Sequence, residues 1–239
     1  WCSGISIPAG LVGTVCTLES CRGQGIGAQL MRASFTRMKN FGLAISCLHT
    51  STEREGFYGR LGYKKAIIET PSQVLPLTRL DLNADHPPPG YVEMRLGTLQ
   101  DAEALHAIYQ AHYSQLSGAW SRTLPFWQRR LQQRPKLWSQ SQAFRVAGGD
   151  QPLAYLALTE SEDTGSISEW ACLPGAEDIA MSLLYATLRE WRNRGIRIAR
   201  LAISTRHPLW LRINQLSPDE KTSHSTVHVQ VHDRDLFVE

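Results

Sequence analysis

The stretch Val15-Cys16-Thr17-Leu18-Glu19-Ser20-Cys21-Arg22-Gly23-Gln24-Gly25-Ile26-Gly27-Ala28 constrains this chain more than any other. Leu11 to Leu18 reads as a strand. Gly25 to Asn40 carries Leu30, Met31, Phe35 and Met38 near helical spacing, with Arg32, Arg37 and Lys39 elsewhere, and reads as an amphipathic helix. The glycines therefore fall in the turn between a strand and a helix start. Three of them at alternate positions leave backbone amides uncovered at a helix N-terminus, an arrangement suited to an anionic group such as a pyrophosphate. The same glycines would also serve a turn chosen only for tight strand-to-helix packing.

Three phosphate-binding patterns compete for this turn. A P-loop requires Gly-Lys followed by Ser or Thr, which is absent. A dinucleotide-binding turn matches Gly23, Gly25 and Ala28, but it needs an acidic residue at the end of the next strand. That strand ends Cys47-Leu48-His49-Thr50, so a dinucleotide-dependent oxidoreductase is the weakest reading. The third pattern, Arg/Gln-x-x-Gly-x-Gly/Ala, is satisfied by Arg22, Gly25 and Gly27. With it the sequence resembles the GNAT superfamily of acetyl-CoA-dependent N-acetyltransferases. Further along, Gly56-Phe57-Tyr58-Gly59-Arg60-Leu61-Gly62-Tyr63 is similar to the Phe-Tyr-x-x-Leu-Gly-Phe/Tyr signature that closes the acetyl-CoA site in that family. The resemblance at motif level runs from Val12 to Ala66.

The resemblance implies specific roles. The strand before the turn would splay from its neighbour, so that Val15, Cys16 and Thr17 pair with the pantetheine arm and the Val15 N–H donates to the thioester carbonyl. Gly23, Gln24, Gly25, Ile26, Gly27 and Ala28 would hold the pyrophosphate through backbone amides, with Arg22 adding charge. Tyr58 is the candidate general acid, because a phenol of pKa about 10 can protonate a departing thiolate within hydrogen-bond reach. Its alternative is a half-buried aromatic of an amphipathic helix beside Phe57 and Leu61. Glu19, Glu53, Glu55 and His49 flank the site, but each reads as a solvated charge, and the general base is left unassigned. A water chain would serve instead.

Organisation follows from one interruption. Asn83-Ala84-Asp85-His86-Pro87-Pro88-Pro89-Gly90 has no periodicity and three prolines, which divides the chain into residues 1–82, a linker at 83–90 and residues 91–239. Before it the predicted order is strand, helix, strand (Leu43 to Leu48), helix (Glu53 to Leu61), strand (Tyr63 to Glu69). After it come a strand at Tyr91 to Arg95, helices at Asp101 to Gln115 and Leu124 to Arg134, and paired strands at Ala143 to Ala147 and Leu153 to Thr159. A strand at Ser166 to Cys172, a helix at Glu177 to Arg194, and strands at Ile198 to Ile203 and Val227 to Val231 complete the series. The expected class is α/β (α+β), a mixed sheet flanked by helices in two tandem units, similar to the tandem-GNAT enzymes typified by the Eis aminoglycoside acetyltransferases. A full GNAT unit has more elements before the acetyl-CoA strand than the ten residues preceding Leu11 supply, so the first unit is expected to be partial, with the N-terminal part of the native unit missing from this chain. In the second unit Cys172-Leu173-Pro174-Gly175-Ala176-Glu177-Asp178 stands where the glycine turn would be. Its acidic pair suits the helix dipole and repels a pyrophosphate, so this unit is expected not to bind acetyl-CoA. By resemblance it supports and shapes the acceptor side.

Composition narrows the rest. With 42% hydrophobic and 20% charged residues in 239, the chain can bury a core, and a net charge of +3 gives no argument for nucleic acid or an anionic membrane. No apolar run reaches the 18 or more residues of a membrane span, and the start Trp1-Cys2-Ser3-Gly4 is not a signal peptide. Cys2, Cys16, Cys21, Cys47 and Cys172 form an odd set without a Cys-x-x-C pair, consistent with reduced thiols and a cytoplasmic location. His224, His228 and His232 recur every four residues, but on a strand His228 and His232 lie about 13 Å apart, too far to share a metal. No metal site is expected. Trp120, Trp127, Trp138, Trp170, Trp191 and Trp210 read mainly as core, with one or two free for a cleft or an oligomer contact, so a homo-oligomer is possible. The expected function is transfer of acetyl from acetyl-CoA to a primary amine in a ternary complex, the acceptor being a small polyamine-like or aminoglycoside-like molecule, with peptide amines behind it. The rival is a non-catalytic acyl-CoA-binding or interaction module.

Overall fold

A computed structural model describes residues 4–66, 71–80, 82, 93–116, 118–133, 136–137, 140–141, 143–202, 210–214, 223–224 and 227–231. The chain forms two compact units, one of Ser6–Glu69 with Ser225–Glu239 and the other of Trp1–Ile5 with Thr70–His224. The class is mixed α/β, with a four-stranded sheet in the first and a seven-stranded sheet in the second.

The smaller unit begins with β1 (Ala9–Leu11), α1 (Ile26–Asn40), β2 (Ile45–His49), α2 (Glu55–Arg60) and β3 (Lys64–Ala66), the predicted alternation. β1 runs parallel to β2, and α1 is the crossover between them. Helix and strand are close: a Cβ on Gly10 would meet the Met38 sulfur at 2.7 Å. Met31, Leu48 and Tyr63 are buried between these elements, with Val12, Val15, Phe35, Phe57, Tyr58 and Leu61 packed around them. α1 ends with Arg37 and Lys39 in its last turn and Gly42 in left-handed φ at +70°, as a C-terminal dipole and αL stop require.

The larger unit contains β4 (Pro71–Pro76), β5 (Met94–Leu96), α3 (Ala102–Tyr113), α4 (Leu124–Gln133), the short pair β6 (Lys136–Leu137) and β7 (Gln140–Ser141), β8 (Ala143–Ala147), β9 (Ala154–Glu160), β10 (Thr164–Cys172), α5 (Glu177–Asn193), β11 (Ile198–Ala202), α6 (Trp210–Asn214) and β12 (Ser223–His224). Its sheet runs β12-β4-β11-β10-β9-β8-β5, with β10 and β11 parallel. Strand alternation divides the core in two. Ala154, Leu156 and Leu158 of β9 join Leu183, Leu184, Leu188 and Trp191 of α5, whereas Tyr155 and Ala157 join Leu105, Ile108 and Tyr109 of α3 and Trp127 of α4. Trp127, Trp170 and Trp191 are core as expected, Trp120 is exposed, and Trp138 lies outside the described residues. The start of α3 is held by Asp101, whose Oδ2 accepts from the Thr98 N–H at 2.7 Å, with Arg95 paired to the same carboxylate.

Three expectations differ from this arrangement. The strand expected over Leu11 to Leu18 is β1 only as far as Leu11, and the chain beyond it leaves the ladder. The strand at Val227–Val231, β13, does not close the second unit but pairs antiparallel with β2 and β3 in the smaller one. β4, absent from the sequence reading because prolines bound it and no alternation marks it, pairs with β11 of the larger sheet. The compact units thus exchange strands relative to a chain-order division at 83–90, a segment outside the described residues. Strand pairing is decided by non-local hydrogen bonds that local pattern does not encode.

Gly165 tests the packing of the larger unit. A Cβ there would lie 2.5 Å from the ring of Trp191, which is fully buried and donates its indole N–H to Glu160 at 2.7 Å. Gly165→Ala is expected to cost about 1–3 kcal/mol through overpacking, read as a lower urea midpoint at unchanged slope.

Candidate functional site

The β1–β2 ladder ends with the Val12 N–H donating to the Cys47 carbonyl at 2.9 Å. Two residues later Thr14 takes φ +55°, a left-handed conformation that costs a non-glycine residue about 1–2 kcal/mol and turns the chain off the ladder. Among the described residues the backbone N–H groups of Val15, Cys16 and Thr17 have no protein acceptor. The side chains alternate: Val15 packs against the core of the smaller unit, Cys16 is exposed, and the Thr17 hydroxyl faces Gly27. So the three residues lie not in a strand, as the sequence suggests, but in an unpaired segment with a free backbone edge.

A single turn of 3-10 helix, Glu19–Cys21, leads into the glycines. Gly23 and Gly25 have φ of +78° and +77°, and a Cβ on either would meet nothing within 4 Å. Their conformation explains why they are glycine, and tight strand-to-helix packing does not. Gly25 is the N-cap of α1, and the first intrahelical bond runs from the Gln29 N–H to its carbonyl at 3.0 Å. The amides of Ile26, Gly27 and Ala28 therefore precede the ladder with no acceptor among the described residues, at the positive end of the helix dipole. The first turn of α1 contains no acidic residue. Arg22 stands beside the turn, two-thirds of its side chain exposed, 3.8 Å from Glu19 and bonded through Nε to the Thr17 carbonyl at 3.4 Å.

The second motif meets the first at Gly27. A Cβ there would lie 3.5 Å from both Phe57 Cζ and Thr17 Oγ1, so the helix bearing Phe57 and Tyr58 sits against the cradle. The Tyr58 ring packs edge-on against Phe57 at 5.0 Å and Tyr63 at 5.9 Å. Its hydroxyl has no protein hydrogen bond among the described residues. Of the flanking charges, Glu19 is exposed beside Arg22, Glu55 pairs with Lys65 at 3.6 Å, and Glu53 and His49 lie in the solvent. Sequence reasoning missed Ser46. Its hydroxyl is fully buried, 2.7 Å from the Tyr63 hydroxyl, whose pKa burial pushes up. A serine amid the apolar run Leu-Ala-Ile-Ser-Cys-Leu is the only trace of that bond in the sequence.

The corresponding place in the larger unit differs. The β9–β10 ladder continues through Cys172 opposite Ala154 and on to the Leu173 N–H, which donates to Leu153 at 2.9 Å. The Gly175 N–H donates to the Glu177 carboxylate at 3.1 Å, and Asp178 pairs with Arg212 at 2.7 Å. The helix start is filled by its own carboxylates. Among the described residues no cluster of metal-ligating side chains occurs, and no helix is long and apolar enough to cross a membrane. His232 lies outside the described residues.

Comparison with known proteins agrees with the motifs. A family model described as acetyltransferase (GNAT) domain matches residues 2–66. No curated protein matches. Among solved structures, a conserved protein of unknown function from Enterococcus faecalis V583, described as a probable N-acyltransferase, is 15% identical with a TM-score of 0.77, covering 100% of this chain and 58% of its own. A GCN5-related N-acetyltransferase from Anabaena variabilis ATCC 29413 is 19% identical with a TM-score of 0.72, covering 98% of this chain and 57% of its own. Eis1 from Mycobacterium abscessus is 16% identical with a TM-score of 0.62, covering 97% and 58%. The chain thus has the GNAT fold along nearly its whole length and spans somewhat over half the length of these proteins. The resemblance read from the two motifs is borne out.

Thiol chemistry reports the exposed edge. Cys16 is exposed, whereas Cys47 and Cys172 are buried, with burial raising both thiol pKa values, that of Cys172 to about 12. Iodoacetamide at pH 8 is expected to alkylate Cys16 in the folded protein and to leave Cys47 and Cys172 unmodified, as read by peptide mass spectrometry.

Proposed function

We propose that this GNAT-fold chain transfers acetyl from acetyl-CoA to a primary amine directly, within a ternary complex. The observation that carries the reading is the unpaired backbone of Val15–Thr17 leading into the uncovered amides at Gly25–Ala28. A segment whose N–H groups have no acceptor among the described residues needs partners, and the amide groups of a pantetheine arm would supply them. In this reading the Val15 N–H donates to the thioester carbonyl, and one such donor is worth about 2.7–4 kcal/mol of transition-state stabilisation. Gly23, Gln24, Gly25, Ile26, Gly27 and Ala28 would receive the pyrophosphate on their backbone, with Arg22 adding a cation at the rim.

When bound, acetyl-CoA supplies the acyl group and a thiolate that leaves with a negative charge. Tyr58 is the residue that protonates it. Its ring is held beside the cradle through Phe57, and its hydroxyl makes no hydrogen bond among the described residues. The amine must lose a proton before attack, and in the absence of an assigned base a water chain performs this step. Small polyamine-like or aminoglycoside-like amines are the favoured acceptors, supported by the similarity to Eis1, and the cytoplasm is the favoured location.

Calorimetric titration with acetyl-CoA tests the cradle. Micromolar binding is expected in the parent and is lost when Gly25→Glu and Gly27→Glu place carboxylates where the pyrophosphate lies, while acetyl-CoA protects Cys16 from alkylation. Turnover is then followed as thiol release with spermidine, kanamycin and a lysine-containing peptide. Tyr58→Phe is expected to bind acetyl-CoA normally and to lose about 10²–10⁴-fold in turnover. Binding without turnover in the parent would make this a non-catalytic acyl-CoA-binding module. An absence of binding would reduce the cradle to a turn.

A further inference from the structure

Tyr63 ends the second motif as an aromatic residue, and its surroundings give it a task beyond filling the core. Its backbone N–H and that of Leu61 both donate to the Tyr58 carbonyl, at 3.1 and 3.0 Å, so the last turn of α2 is tied to the residue that follows Gly62. Gly62 makes the reversal at φ +95°. A Cβ there would come within 3.1 Å of Gln230 Nε2 on β13, directly across the ladder from Ser46. The Tyr63 ring then stands nearly perpendicular to that of Tyr58, centroids 5.9 Å apart and planes at 79°. Phe35 of α1 lies 5.9 Å from the same ring.

The far end of Tyr63 is fixed as firmly as its backbone. Its hydroxyl meets the Ser46 hydroxyl at 2.7 Å in a site where Ser46 is fully buried and Tyr63 is 3% exposed. Made where both residues are buried, this bond sets the tilt of the Tyr63 ring. The tilt of that ring sets where the Tyr58 ring rests. Tyr58 itself has no hydrogen bond among the described residues to hold its hydroxyl in place, and a proton donor works only within hydrogen-bond reach of the atom it serves.

We infer that Ser46 and Tyr63 are positioning residues for the acyl transfer, their buried hydroxyl pair bracing the Tyr58 ring so that its hydroxyl points at the departing sulfur. This rests on the acetyl-transfer reading above. Neither residue touches the cofactor or the acceptor in this scheme. Both act only through the placement of Tyr58, and misplacement by about an ångström is enough to cost large factors in rate.

The test compares Tyr63→Phe, Ser46→Ala, Tyr58→Phe and Tyr58→Phe/Tyr63→Phe in the whole chain, using acetyl-CoA and whichever of spermidine, kanamycin or the lysine peptide the parent acetylates fastest. Tyr63→Phe and Ser46→Ala are each expected to lower kcat about tenfold or more, with the acetyl-CoA dissociation constant within twofold of the parent. In the Tyr58→Phe background, Tyr63→Phe is expected to change kcat by less than twofold, because the group it places is gone. A bond that only stabilises the fold would lower the melting temperature, and any rate loss would be the same in both backgrounds. Tyr63→Phe keeps the ring and so remains informative if Ser46→Ala does not fold. Normal turnover in Tyr63→Phe beside slow turnover in Tyr58→Phe overturns the brace and leaves the acid standing. Unchanged turnover in Tyr58→Phe, or a parent that acetylates none of these amines, overturns the acid and the brace together.

Discussion

The β1–β2 ladder stops at the bond from Val12 to Cys47, and the site depends on its stopping there. Had Val15–Thr17 continued the pairing, their amides would be satisfied within the protein and nothing would be left for a ligand. Two local features end the ladder: the left-handed φ of Thr14, and the requirement that the chain reach Gly23 and Gly25 in the same hand before α1 begins. The cost of Thr14 is modest, about 1–2 kcal/mol, and it is carried by the packing on either side. On one side Val12 and Val15 anchor the segment to Met31, Leu48 and Tyr63, and on the other α1 is pressed on β1 at Gly10 and Met38.

The same packing explains why the two motifs, separate in sequence, meet at one place. At Gly27 a Cβ would stand in ordinary contact with both Phe57 and Thr17, so the two motifs pack together across this residue. That contact carries Tyr58 to the cradle. β13 does comparable work from the far end of the chain, pairing with β2 through Val227–Val231 and with β3 at Val227–Val229, so that the strand holding Ser46 and the strand following Tyr63 share one partner. The order of the four-stranded sheet, β1-β2-β13-β3, places this late strand inside the unit that the early residues begin.

Much of this was legible in the sequence, and the parts that were not share a cause. The glycine spacing, the helix after it, the apolar strand read at Leu43 to Leu48 and found at Ile45–His49, and the Phe57-Tyr58 motif are local patterns, and the elements appear at or close to where those patterns place them. The exchange of β4 and β13 between the sheets is non-local: Val74 and Leu75 pair with Arg200 and Ala199, and no feature of Pro71–Pro76 announces that partner. The departure of Val15–Thr17 from the ladder is implied by the family resemblance but not by local pattern, because β-branched residues there look like a strand whether or not a neighbouring strand exists to receive them. Ser46 was invisible for a third reason, since a buried hydroxyl declares itself only through the side chain it meets.

The larger unit shows the same kind of helix start with its hydrogen bonding completed from within. It has the same succession of strand, turn and helix at β10 and α5, and the turn even has a glycine with φ +84°, Gly175. There, however, the ladder runs on to Leu173, the glycine amide donates to Glu177, and Glu177 and Asp178 lie in the first helical turn. Carboxylates at that position satisfy the helix dipole from within, and an incoming pyrophosphate would have to displace one while facing the repulsion of the other. The smaller unit has no acid in the first turn of α1, no side-chain cap at Gly25, and amides without acceptors among the described residues. Two starts of the same helical form therefore differ in whether the protein completes its own hydrogen bonding. Where it does, the element is structural. Where it does not, the open positions set what could fill them, and under the function proposed above an anion with an amide-bearing arm would make good both the helix start and the strand edge.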